Sequence, residues 1–100
     1  MDPQLYVALD GLAAAFIELR RFDEAIVVAK KAIRQCPSSG HYRKLASALA
    51  HLGRDAEARE AAARVLEFDP ALTISAFVAR GGMSNAKLYI EGLRKAGLPE

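Results

Sequence analysis

The chain has 100 residues, of which 52% are apolar, and its formal net charge is +2. This length is enough for one domain with a modest core. Basic and acidic residues alternate along the chain, whereas a nucleic-acid site would cluster lysine and arginine, so we expect no nucleic-acid partner. No apolar run reaches the roughly 20 residues of a membrane span, and nothing resembles a signal peptide. The single cysteine suits a reducing compartment, and we expect a cytoplasmic protein without a membrane partner.

The first two predicted helices form an antiparallel pair. Asp2 and Pro3 predict a helix start, because they place an acceptor at the cap and a proline in the first turn. Apolar residues then recur at steps of three and four as far as Leu19. Acidic residues from Asp23 indicate the start of the second helix, and Pro37 predicts its end. Because so few residues separate the two helices, they must pack antiparallel.

A second pair follows the same order. Residues 38–40 form a Ser-Ser-Gly loop that supplies a cap for the third helix, and Gly53 is a natural terminator for it. Asp55 is predicted to cap the fourth helix, which Pro70 closes.

The pattern changes after the fourth helix. A short apolar segment is interrupted by Gly81 and Gly82, and Ser84 is predicted to cap a last helix. Gly97 is predicted to end that helix in a Schellman turn, with Leu98 as the hydrophobic partner that folds back.

Residues 12–37 and 45–70 repeat one another at eight positions, thirty-three residues apart. A period in the low thirties, with small residues at helical spacing and a terminal proline, is typical of stacked helix-pair repeats. We therefore predict an all-α superhelix of about six helices. Residues 1–70 hold two units, at about 4–37 and 39–70, and residues 71–100 form capping helices that cover the last apolar face. The predicted structural positions of the repeat are Leu12, Ala13, Phe16, Ala25, Ala32, Pro37, Leu45, Ala46, Gly53, Ala58, Val65 and Pro70.

These positions resemble the tetratricopeptide repeat, a helix-turn-helix unit of about thirty-four residues. One departure is Arg20, which stands where the internal turn of the family has glycine. The resemblance implies a non-catalytic interaction module in which the first helix of each unit lines a concave groove. The implied groove residues are Val7, Asp10, Ala14, Ile17, Glu18, Arg43, Lys44, Ser47, Ala50 and His51.

The resemblance also bears on the kind of partner. Family members that clamp the terminal carboxylate of a peptide use lysine and asparagine where this chain has Asp10, Ala14 and Ser47. The expected partner is therefore an internal peptide segment or a domain of the same protein. Reversing the charges of Arg43 and Lys44 should weaken its binding and leave helicity and melting unchanged.

A second resemblance suggests an alternative function. The segments 51–58, 68–70 and 89–99 are similar to the carboxy-terminal ends of bacterial multidomain signalling proteins. In those proteins a class III adenylate or guanylate cyclase domain, or a DNA-binding domain, precedes a tetratricopeptide array. This implies a structural, regulatory or dimerising segment. An apolar face at the amino-terminal end, with Leu5, Tyr6 and Leu9, is expected to favour a homodimer.

No set of residues indicates catalysis or a cofactor. His41 and His51 lie on one predicted helix about 15 Å apart, which is too far for a shared metal ion. Cys36 lies on an apolar helix face and is predicted to be a packed thiol. The acidic pairs lie at helix ends, where capping explains them. We therefore predict that the chain is not an enzyme, has no cofactor and binds no metal.

Overall fold

The computed structural model describes residues 3–80 and 86–100, with side chains described for residue 9 and from residue 11 onward. In these ranges the chain forms six α-helices and no strand, which confirms the all-α prediction. None of the described helices is long and apolar enough to cross a membrane. The helices are α1 (Pro3–Glu18), α2 (Phe22–Gln35), α3 (Ser39–His51), α4 (Asp55–Phe68), α5 (Ile74–Ala79) and α6 (Lys87–Lys95).

The turn from α1 to α2 recurs thirty-three residues later between α3 and α4. The amides that follow Arg20 and Gly53 donate to the carbonyl oxygens of Phe16 and Leu49, at 2.8 and 3.0 Å. Both turn residues have left-handed backbone, with φ of 60° at Arg20 and 77° at Gly53. These bonds satisfy carbonyl groups that a helix end leaves without partners. The arginine at position 20 therefore adopts the turn that glycine adopts in the second pair.

Ion pairs recur with the same spacing. Arg21 donates two hydrogen bonds to Glu24 in the first turn of α2, and Arg54 does the same to Glu57 in the first turn of α4. The hydrogen bond from Arg54 holds the pKa of Glu57 below its usual value. These pairs are exposed and of a kind that contributes little to stability.

Small residues fill the interior of both helix pairs. Consecutive helices contact one another from α1 to α4, and alanine at the crossing points lets the helix axes approach closely. The repeat position Leu12 is 42% exposed, whereas its counterpart Leu45 is buried against α2 and α4. The buried small residues of the repeat are Ala13, Ala25, Ala29, Ala32, Ala46, Ala58, Ala62 and Val65.

Some local predictions are wrong. Asp55 is the first residue of α4 and not its cap; Arg54 occupies the cap position without a side-chain hydrogen bond. Cys36 is exposed, because it follows the end of α2 in extended backbone and leaves the apolar face of that helix. The predicted roles of Asp2, Gly81, Gly82 and Ser84 lie outside the described residues.

The predicted Schellman turn at the end of α6 is confirmed. Gly97 has a φ of 94°, and the amide of Leu98 donates to the carbonyl of Leu93 at 3.2 Å. Leu98 is buried, as the predicted hydrophobic contact requires. The last two residues then accept hydrogen bonds at 2.8 Å from the amides of Ile74 and Ser75, which ties the end of the chain to the start of α5.

Helix α6 packs against α3 and α1. These are the first helices of the two pairs, on which the predicted groove residues lie. Residues at helical spacing form its buried face, namely Tyr89, Gly92, Leu93 and Ala96. The last helix therefore lies along the surface that would otherwise be open to a ligand.

Candidate functional site

The candidate site is the surface of α1 and α3 beneath α6, which we call the α1–α3 groove. It is defined by Glu18 on α1 and by Arg43, Lys44, Ser47 and His51 on α3. The sequence predicted all five as groove residues, and the structure brings each of them against α6.

The other predicted groove residues divide into two sets. Ala14, Ile17 and Ala50 are buried, and Ile17 has no exposed surface at all. The side chains of Val7 and Asp10 lie outside the described residues. Direct contacts with α6 are thus established for five members of the predicted set.

Three side chains of the groove contact the main chain of the first turn of α6. The carboxylate of Glu18 accepts a hydrogen bond from the amide of Tyr89 at 2.9 Å. Ser47 Oγ donates to the carbonyl oxygen of Tyr89 at 2.9 Å. His51 Nε2 lies 2.5 Å from the carbonyl oxygen of Leu88, which can only accept, so the proton lies on Nε2.

The bond from Glu18 has a clear physical role. The first amides of a helix have no partner within the helix, and the positive end of the helix dipole favours an anion nearby. The cap residue Ala86 offers no side-chain acceptor. Glu18, from a distant part of the chain, therefore does for α6 what a capping side chain usually does.

Two basic residues hold the ring of Tyr89. Arg43 Nε donates to the Tyr89 hydroxyl at 3.1 Å, and its guanidinium lies 4.7 Å from the centre of the Phe77 ring. Lys44 is 4% exposed, and its Nζ lies 5.5 Å from the centre of the Tyr89 ring. Tyr89 and Phe77 meet edge to face, with centres 6.1 Å apart. Arg43 thus connects α3 to both α5 and α6.

The closest approach of α6 to α3 is at Gly92 and Ser47. A Cβ atom placed on Gly92 would lie 2.1 Å from Ser47 Oγ, 2.7 Å from Ser47 O and 2.8 Å from Ser47 Cα. Two of these atoms belong to the backbone, so a different side-chain rotamer would not relieve the overlap. Only glycine allows the two helices to cross at this distance.

This arrangement changes what charge reversal at Arg43 and Lys44 should do. The sequence predicted weaker partner binding with unchanged melting. Because both side chains contact Tyr89, and Lys44 is buried, reversing their charges now predicts a lower melting temperature as well.

Sequence reasoning gave no role to Tyr89, Gly92 or Phe77 in the site. Gly92 did carry a usable signal, because a glycine inside a predicted helix costs stability and usually has a packing reason. Nothing local indicated that its neighbour would be Ser47, which is forty-five residues away.

Other surfaces of the described residues are weaker candidates for a ligand site. A depression beside α4 is lined by Lys30, Glu57, Glu60 and Arg64, but two of these charges are already paired, Glu57 with Arg54 and Arg64 with Glu67. Among the described residues no group of histidine, cysteine or acidic side chains could hold a metal ion. His51 stacks on Phe22, with ring centres 4.7 Å apart, besides its contact with Leu88.

Comparison with family models, curated proteins and solved structures finds no match to this chain. The resemblances to tetratricopeptide repeats and to cyclase-associated segments therefore stay predictions.

Proposed function

We propose that the chain is a protein-interaction module of the tetratricopeptide type, in which two helix pairs form a short superhelix and the α1–α3 groove is the ligand surface. Its action is recognition by shape and a few polar groups, without a chemical reaction. The partner is a peptide segment or a domain of another protein.

The observation that carries the proposal is the helix lying in the groove. Glu18, Ser47 and His51 all direct polar groups at the main chain of α6, so the groove is already complementary to a helical segment. The recurring turns and ion pairs of the two helix pairs support the repeat part of the proposal.

A matched pair of charge reversals tests this function. Glu18 lies at the rim of the groove, whereas Glu60 is an exposed glutamate on α4. Because Glu18 also binds α6, both variants are made in a Gly92→Ala background, in which the new Cβ overlaps Ser47 and α6 no longer fills the groove. Proteins retained from host extract by the Gly92→Ala chain should also be retained with Glu60→Lys, and should be lost with Glu18→Lys. The interaction is then reconstituted from purified components, where we expect Glu18→Lys to weaken binding by about tenfold or more. Circular dichroism checks that both variants keep their helices.

Equal retention by both variants would count against the groove as the ligand surface. If no purified protein binds the chain in a way that requires Glu18, the proposed interaction function is excluded.

A second function is favoured by a different surface. A shallow depression between α1 and α2 is lined by the apolar residues Phe16, Val27 and Val28, and Val27 is 64% exposed. We propose as the alternative that the chain is a structural or dimerising segment of a cyclase-type signalling protein, associating through this apolar face. Light scattering after size exclusion should then show a dimer that Val27→Lys converts to a monomer. A wild-type chain that stays monomeric at high concentration would exclude the dimerising version.

A further inference from the structure

We propose that the α1–α3 groove is an exchangeable helix site, which α6 fills in the isolated chain and which an amphipathic helix of a partner protein takes over. The partner helix carries an aromatic residue, glycine three positions later and leucine directly after the glycine. This inference rests on the proposed function and names the class of its ligand.

The polar groups of the groove recognise a helix of any sequence at its first turn. Glu18 binds a free amide, and Ser47 and His51 bind carbonyl oxygens of the same turn. Unpaired amides are present at the start of every helix, and the carbonyl oxygens there, which accept one bond within the helix, have a second lone pair. An incoming helix can therefore make the same three bonds as α6.

The side chains under the helix select the sequence. Only glycine fits opposite Ser47, because a Cβ there would overlap the Ser47 backbone. Tyr89 stands one turn before that glycine, between Arg43 and Lys44, and Leu93 follows it in a fully buried position. The pattern aromatic-x-x-Gly-Leu is thus the part of α6 that another helix must reproduce.

The side of α3 that faces α6 combines polar and apolar contacts. Arg43, Lys44 and Ser47 contact α6. Tyr89 and Leu93 of α6 also lie in the buried apolar cluster that the preceding helices form. Interfaces that form and separate are more polar than permanent ones, so the polar contacts favour exchange and the apolar contacts oppose it.

Helix α6 also has little stability of its own. It spans nine residues, fewer than the roughly 12–15 at which an isolated helix becomes marginal in water. Its cap residue Ala86 makes no side-chain hydrogen bond, so the start of the helix depends on Glu18. Beyond its far end, the carbonyl oxygens of Pro99 and Glu100 accept hydrogen bonds from the amides of Ile74 and Ser75, and Glu100 forms an exposed ion pair with Arg94. A helix held mainly by its groove can be displaced by a competitor for that groove.

The test uses the full chain and a matched pair of glycine substitutions. In Gly92→Ala the new Cβ overlaps Ser47, and α6 leaves the groove. Gly11→Ala is the control, because Gly11 lies on the exposed part of α1 and a Cβ there meets no atom within 4 Å. The probe is a fluorescent synthetic peptide of residues 86–98. We expect the Gly92→Ala chain to bind it at least about tenfold more tightly than the wild-type chain, since α6 no longer competes. Gly11→Ala should bind like the wild type, and a peptide with alanine in place of its own glycine should not bind.

A Gly92→Ala chain that keeps the helicity of α1 to α4 and does not bind the peptide would overturn the proposal. Hydrogen exchange on the wild-type chain gives an answer even if that variant unfolds. Amides of α6 should exchange at least about tenfold faster than those of α3, through local opening. Equal protection would overturn the proposal, because α6 would then leave only on global unfolding.

The two proposals can fail separately. If the peptide does not bind but a partner that depends on Glu18 is reconstituted, the interaction function stands and helix exchange is excluded.

Discussion

Replacing Arg20 by glycine should make the protein more stable. Arg20 has left-handed backbone, which costs an L-residue roughly 1–2 kcal/mol and glycine almost nothing. Glycine also raises the conformational entropy of the unfolded chain, which lowers the free energy of unfolding by about 0.5–1 kcal/mol. The substitution also removes a cation from a helix end, at a cost of a few tenths of a kcal/mol. The balance is a gain of about 0.5 kcal/mol in the free energy of unfolding.

The repeat supplies the reciprocal experiment. Gly53 occupies the same turn in the second pair, and a Cβ at that position meets no atom within 4 Å. Gly53→Arg therefore introduces the backbone cost without a steric clash and should destabilise by a similar amount. For a domain of this size about 0.5 kcal/mol corresponds to a melting shift of about 2–4 °C.

Urea and thermal unfolding followed by circular dichroism measure both variants. A lower melting temperature for Arg20→Gly, or an unchanged one for Gly53→Arg, would refute the reasoning, because the backbone conformation would then not decide the stability of the turn. Arg59→Gly, at an exposed position inside α4, serves as the control for arginine loss within a helix and should destabilise by about 1 kcal/mol.

Three further predictions concern the groove and the second turn. Tyr89→Phe removes the hydrogen bond from Arg43 and should cost about 0.5–1.5 kcal/mol in urea unfolding, with the ring packing retained. Ser47→Ala removes a buried hydrogen bond to the Tyr89 carbonyl and should cost a similar amount; a neutral result would mean that this bond does not hold α6. Glu57 should titrate below its usual pKa in an NMR experiment, because Arg54 donates to it, and Arg54→Gln should raise that pKa. Because the pKa of Glu57 is lower in the folded chain than in the unfolded chain, its ion pair with Arg54 stabilises the fold at pH values above the unfolded pKa. This stabilisation is lost as the pH falls through the folded pKa.

The helix pairs could be predicted from the sequence because their signals are local. Apolar residues at steps of three and four, proline at the end of a helix and glycine at a turn act within a few residues of one another. Gly97 and Leu98 show this well: the Schellman turn they predict is the one observed. Even locally, the wrong assignment of Asp55 shows that an acidic residue near a helix start can favour the dipole without capping the backbone.

The position of α6 could not be predicted in the same way. Its contacts join Glu18 to Tyr89 and Ser47 to Gly92, pairs that are far apart in the chain and follow no period. The repeat pattern stops before this helix begins, so it gives no information about where the helix packs. A helix of nine residues with an apolar face is compatible with several docking surfaces until the groove itself is built.

The resemblance named residues that the structure places against α6, and it did not predict this contact within the chain. Glu18, Arg43, Ser47 and His51 are polar residues on the first helices of two helix pairs, where a ligand would be expected. In the structure they contact a helix of the same chain. An intramolecular occupant is present at high effective concentration, so any external ligand has to exceed that advantage in affinity, or bind when α6 is held elsewhere. For the proposed interaction function, the affinity for a partner then depends on how firmly Gly92 and Tyr89 hold α6 in the groove as well as on the partner. Substitutions in α6 should change that affinity without altering the groove.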